Sequence, residues 1–165
     1  KRLGANVTGL DASPEAIKVA KDHALAMGLD IDYRIGDLSV IPYEFNQFDV
    51  VIASEVIEHV SDPQSFLQEI YKLTNPGGKL IITTLNRSLL SLFGAKIFAE
   101  YLLKIVPVGT HDWRKFITPS ELNAMLIRSR FEPEIIKGIF YSISKDEFHL
   151  TANPEINYAV SAIKC

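Results

Sequence analysis

The run Phe48-Asp49-Val50-Val51-Ile52-Ala53 is almost continuously apolar, the pattern a strand carries when helices cover both of its faces. Such a strand belongs in the middle of a parallel sheet. Parallel neighbours need crossover connections, so helices must alternate with strands around it. The chain supplies that alternation. Residues 6–11 are short and apolar, end on Asp11, and lead into Ser13-Pro14-Glu15, where Ser can cap a helix and Pro can occupy its first turn. Ala16, Ile17, Val19, Ala20 and Ala24 then recur at near-helical spacing up to Gly28, a residue suited to a left-handed cap. Residues 31–36 read as the next strand. After Pro42 and the run at 48–53, Asp62-Pro63 opens a helix with Phe66, Leu67, Ile70, Tyr71 and Leu73 as its apolar stripe. Asn75-Pro76-Gly77-Gly78 forces a turn before a strand at 79–85. The last third differs: Thr118-Pro119-Ser120-Glu121 has the form of a capping box starting a helix to about residue 129, and 135–144 and 157–164 read as strands. The expected fold is α/β, a Rossmann-like doubly wound and mostly parallel sheet with an antiparallel C-terminal edge hairpin. It forms one domain over 1–165, with an insertion at 88–117.

The chain has 165 residues, 47% hydrophobic and 22% charged, enough apolar material for a core. A net charge of -3, with Lys and Arg scattered, gives no basic field for a nucleic-acid backbone. The one cysteine, Cys165, excludes an internal disulfide framework and agrees with a reducing compartment. Lys1-Arg2-Leu3-Gly4-Ala5 reads as the end of a helix capped by Gly4. The expectation is therefore of a domain whose first strand, glycine-rich loop and first helix precede Lys1 and are missing here. That strand would lie between those at 6–11 and 48–53, and unpaired edges would leave the chain marginal by itself.

In open parallel sheets ligands bind beyond the carboxyl ends of the strands, where an acid can hold both hydroxyls of a ribose. Asp11 has that position; its alternative role is to favour the N-terminus of the following helix. Asp37, after the next strand, could accept from an adenine amino group with Leu38 packing on the ring, or be an exposed loop acid. The acid alone does not separate a nicotinamide dinucleotide from S-adenosylmethionine. Asp11, the segment from Phe48 to Glu55 and Pro76-Gly77-Gly78 before a strand together resemble class I S-adenosylmethionine-dependent methyltransferases.

Beyond the central run comes Ser54-Glu55-Val56-Ile57-Glu58-His59-Val60. If this stretch is helical, Glu55, Glu58 and His59 share one face. Two carboxylates and an imidazole suit magnesium, manganese or zinc, with open positions for two catechol oxygens; without a metal they serve as a cap, an ion pair or a base. This stretch, Thr84-Leu85-Asn86-Arg87, the segment Gly109-Thr110-His111-Asp112-Trp113-Arg114-Lys115-Phe116 and Asn157-Tyr158 resemble the ubiquinone biosynthesis O-methyltransferase family over essentially the whole chain. The resemblance implies cofactor contacts from Asp11 and Ser54 and metal ligation by Glu55, Glu58 and His59. It implies O-methylation of a polyprenylated catechol, with a divalent metal, magnesium foremost, lowering the pKa of the phenol. Without a metal, His59 is the preferred base and His111 the second; His111 alternatively orients the loop around Trp113.

Residues 88–106, opening at Ser88 and closing at Val106, are apolar but interrupted by Lys96, Glu100 and Lys104 at four-residue spacing. That is an amphipathic helix rather than a span, either a lid or a contact with a membrane surface that presents the polyprenyl tail. The expected location follows: the bacterial cytoplasm at the inner membrane, or the matrix side of the mitochondrial inner membrane, beside other ubiquinone-biosynthesis proteins. Two other readings are a non-catalytic lipid-binding or scaffold protein on the same fold, and a nicotinamide-dependent oxidoreductase.

Overall fold

The structure, a computed structural model, describes residues 1–40, 48–91, 113–142 and 144–165. They form two compact units. In the first, strand β1 (Thr8–Asp11), helix α1 (Pro14–Ala26) and strand β2 (Asp32–Ile35) make a strand–helix–strand crossover. The two strands are parallel, with Thr8 opposite Asp32 and Asp11 opposite Ile35. Helix α1 starts where its capping chemistry lies: the Ser13 hydroxyl accepts the Ala16 N–H at 3.1 Å, Pro14 follows, and Glu15 sits in the first turn. Its buried residues are Ile17 and Ala24 only; Val19, part of the expected apolar stripe, is exposed. A short 3-10 turn, Leu38–Val40, follows β2.

The second unit is a five-stranded sheet built from β3 (Phe48–Ser54), β4 (Thr74–Leu85), β5 (Phe131–Ser142), β6 (Glu147–Thr151) and β7 (Asn157–Lys164), ordered β3-β4-β7-β5-β6. Strands β3 and β4 are parallel and joined through helix α2 (Pro63–Leu73), the short crossover that parallel pairing demands. Strand β7 runs antiparallel to both β4 and β5. Helix α2 begins at Asp62, whose carboxylate accepts from Gln64 and Ser65, and helix α3 (Pro119–Arg128) at Thr118, with both halves of the expected capping box present. On one face of the sheet Leu80, Ile82, Val160 and Ala162 are buried, as are Leu67, Ile70, Leu122 and Leu126 of the helices. Each Leu, Ile or Val among them contributes about 1.5–3 kcal/mol on leaving water. The helices also meet through Gln64, whose Nε2 donates to Ser129 Oγ at 2.6 Å.

Strand β3 ends the five-stranded order among the described residues, and Val50 and Ile52 are 49% and 65% exposed, the unpaired edge expected at this strand. An apolar run records what a strand can bury, not which neighbour pairs with it. Several expectations change. Asn75-Pro76-Gly77-Gly78 is not a turn ahead of a strand at Lys79 but an irregularity inside β4, which starts at Thr74. Between the pairs Phe48–Thr74 and Val50–Lys79, β4 inserts three more residues than β3. Gly77 takes φ 72° there, and a Cβ on Gly78 would lie 2.8 Å from the Asn75 carbonyl oxygen and 3.0 Å from that of Asp49. The bulge therefore needs both glycines. Strand β5 starts at Phe131 rather than 135, and β6 was not expected.

Of the amphipathic segment, positions 92–106 lie outside the described residues, as does His111. Its opening is described: the Ser88 hydroxyl accepts the Ser91 N–H at 2.9 Å, and Leu89 and Leu90 are 72% and 51% exposed. Among the described residues no helix is long and apolar enough to cross a membrane.

Candidate active site

The carboxyl end of β3 carries the chemistry. Ser54, its last residue, pairs in register with Thr83 of β4, and the two hydroxyls share a hydrogen bond of 3.1 Å. Glu55 then leaves the strand in the left-handed region, at φ 51°, where a non-glycine residue is strained. Its N–H is held by the Thr83 carbonyl at 3.0 Å. Val56 to His59 form a turn closed by the His59 N–H to the Val56 carbonyl at 2.9 Å. The stretch is not helical, so the expected common face of Glu55, Glu58 and His59 does not form. Glu58 turns inward and is 3% exposed; His59 is exposed. Among the described residues no three His, Cys, Asp or Glu side chains gather as a potential metal group.

The two carboxylates do come together. Glu58 Oε2 accepts from the Thr84 hydroxyl at 2.8 Å, while Glu58 Oε1 is buried with no hydrogen-bond partner. Burial first, then the negative charge of Glu58, push the Glu55 carboxyl up to about 7, against a hydrogen bond with Thr83 and helped by a hydrogen bond shared with Glu58. Behind them Tyr158, fully buried on β7 opposite Thr84, donates its hydroxyl to the Ile117 carbonyl at 2.8 Å. Burial foremost, then the charges of Glu121, Glu58 and Glu55, holds that phenol far above its ordinary range. A half-buried carboxyl hydrogen-bonded to a buried one makes an acid pair that a shared proton stabilises.

Thr83, Thr84 and Tyr158 belong to this site although sequence reading gave them no role. Thr84 and Tyr158 stood in quoted motifs, but nothing in their spacing says that a threonine of β4 meets a glutamate beyond β3. The far end of the segment around Trp113 is anchored nearby in sequence terms to the end of β4: the Trp113 indole N–H donates to the Ser88 carbonyl at 3.1 Å, and the Ile117 N–H to the Leu85 carbonyl at 3.2 Å. Arg87 pairs with Glu121 of the capping box.

In the first unit Asp11 ends β1, exposed, with Oδ1 accepting the Ser13 N–H at 2.8 Å. Since Ser13 caps α1, the helix does not require Asp11. Asp37 follows β2, its carbonyl accepting the Val40 N–H at 3.2 Å, with Leu38 half-buried. Asp11 stands at, and Asp37 past, the carboxyl end of a parallel strand, as expected.

A family model described as a methyltransferase domain matches residues 1–82. The chain is 43% identical to a ubiquinone biosynthesis O-methyltransferase of a Caulobacter species, over 99% of this chain and 65% of that protein. It is 38% identical to the one from Xanthomonas axonopodis pathovar citri, over 99% of this chain and 69% of that protein. It thus spans just under two thirds of the Caulobacter relative's length. A solved SAM-dependent methyltransferase from Methanosarcina mazei matches 98% of this chain and 83% of its own with a TM-score of 0.67 at 19% identity, a likeness of fold. The Rossmann-like expectation is met, and by sequence over nearly its entire length the chain belongs to the ubiquinone biosynthesis O-methyltransferase family.

Proposed function

We propose that the protein transfers a methyl group from S-adenosylmethionine to one oxygen of a catechol-type, polyprenylated ubiquinone precursor, assisted by a divalent cation, magnesium foremost. Family membership supports the reaction class. The cation reading rests on the family resemblance; what the structure brings together is Glu55 and Glu58, hydrogen-bonded to each other with the Glu55 carboxyl raised to about 7. By the family resemblance Glu55, Glu58 and His59 would hold it; the described residues do not gather these three, His59 being exposed while Glu58 is buried.

S-adenosylmethionine supplies an electrophilic sulfonium methyl, and a divalent cation would favour the ionised phenol, whose ordinary pKa is about 10. The residues supply position and proton transfer. Asp11 suits the ribose hydroxyls, because its exposed carboxylate is oriented by the Ser13 N–H. Asp37 and Leu38 are assigned to the adenine, and Ser54 to the cofactor. Without a cation, His59, exposed on its turn, would take the phenolic proton, with His111 as the second base. As the oxygen–methyl bond forms the sulfur–methyl bond breaks, leaving the neutral thioether. Residues 88–106 are assigned to a membrane surface, from which a polyprenyl tail is reached; the exposed Leu89 and Leu90 support this. The location is then the cytoplasmic face of a bacterial inner membrane or its mitochondrial counterpart, the matrix side.

The test is methyl transfer from labelled S-adenosylmethionine to a short-chain polyprenyl catechol, with magnesium and with a chelator. Magnesium-dependent product supports the whole reading. Product that resists the chelator removes the cation and leaves His59 as base. No product from folded, cofactor-binding protein favours the scaffold reading.

A further inference from the structure

Three contacts converge on Thr83, near the end of β4. Its carbonyl accepts the Glu55 N–H at 3.0 Å, and its hydroxyl lies 3.1 Å from that of Ser54, its partner in register on β3. The same hydroxyl bonds the Glu55 carboxyl. Consecutive residues of a strand point to opposite faces, so Ser54 and Glu55 would not share a partner had the strand continued. Glu55 leaves it at φ 51°, and that left-handed step brings its carboxyl to the hydroxyl that Ser54 touches. A threonine hydroxyl has one proton and two lone pairs. Its bond to Glu55 favours the ionised carboxylate, a group that only accepts, so the Thr83 proton is committed there. The other bond then runs one way: Ser54 donates to Thr83. With its own proton spent, the exposed Ser54 oxygen offers lone pairs at the carboxyl end of β3, where parallel strands bind ligands.

We infer that Thr83 is a positioning residue for the cofactor, making the Ser54 hydroxyl an acceptor for the ammonium group of S-adenosylmethionine. Of the donors that molecule carries, the ribose hydroxyls and the adenine amino group are assigned to Asp11 and Asp37, which leaves the ammonium. A hydroxyl free to rotate can turn its proton toward that cation; one whose proton is held cannot. The inference rests on the assignment of Ser54 to the cofactor.

Its test compares two ligands by calorimetry on the purified protein. S-adenosylhomocysteine carries the ammonium; methylthioadenosine keeps the adenine, ribose and thioether but lacks the amino-acid end. Thr83→Val keeps the shape, and the backbone carbonyl that holds the Glu55 N–H, while removing the hydroxyl; Thr83→Ser keeps the hydroxyl. The expected result is a S-adenosylhomocysteine affinity lowered about tenfold in the Val variant, as for one charge-assisted hydrogen bond, and restored in the Ser variant. Methylthioadenosine affinity should stay constant in both. Ser54→Ala should lose as much, and adding Thr83→Val to it should lose nothing more. Should the Val variant fail to fold, Thr83→Ala takes its place. Equal losses for the two ligands mean that Thr83 merely holds the strand end, and they overturn the inference, as does an unchanged Val variant or additive loss from Ser54 and Thr83. Wild-type protein that binds neither ligand overturns the cofactor reading and this inference together.

Discussion

Replacing Glu58 by Gln separates the two causes that raise Glu55. The folded chain holds the Glu55 carboxyl at about 7 against an ordinary 4.5, through burial and the Glu58 charge. With the folded value above the unfolded one, the contribution to stability is complete below about pH 4.5 and is lost as pH rises through about 7. At 1.36 kcal/mol for each pKa unit this separation corresponds to about 3.4 kcal/mol, which solvent around the partly exposed carboxyl reduces to about 2. Glu58→Gln removes the charge while keeping an acceptor for the Thr84 hydroxyl, and its amide can donate to the Glu55 carboxylate. The variant should therefore lose less stability between pH 5 and 8, and at pH 8 should exceed the wild type by about 1 kcal/mol. Asp62, held low by hydrogen bonds from Ser65, titrates below this window in both proteins. The assay is urea unfolding at pH 5, 6, 7 and 8 with divalent cations chelated, comparing midpoints at constant slope. Parallel pH curves for the two proteins would refute the reasoning, because they would mean that Glu58 does not act on Glu55.

Two other substitutions test the frame around the site. Lys164→Met keeps most of the apolar stem but removes the ammonium that donates to the Tyr71 and Thr74 carbonyls at 2.7 and 2.8 Å over the Tyr71 ring. It should cost about 2–3 kcal/mol, read as a lower urea midpoint; an unchanged midpoint means that water replaces the ammonium without loss. Asp11→Ala should weaken S-adenosylmethionine binding about 10–100-fold by calorimetry. Helicity should be unchanged, since Ser13 caps α1, and undiminished affinity would remove Asp11 from the ribose.

What the sequence determined by itself is local. Each described helix starts where a side chain bonds backbone two or three residues away: Ser13 to Ala16, Asp62 to Gln64 and Ser65, Thr118 to Glu121. The energy of such caps depends on neighbours in the chain, so they were legible without a fold. The acids at strand ends were legible for the same reason, and the family motifs gave the family. Only tertiary structure decided the rest. The order β3-β4-β7-β5-β6 joins strands distant in sequence, and β6, five residues of modest apolar content, is defined by pairing with β5. Glu55 leaves the helical expectation because Thr83 holds its N–H, and Glu58 turns inward because Thr84, 26 residues on, offers a hydroxyl there. Lys164 reaches the Tyr71 carbonyl near the end of α2 across 93 positions. Contacts of this range leave no period or spacing in the chain: local propensity selects helix and strand, while side-chain orientation at the site follows from which strands become neighbours.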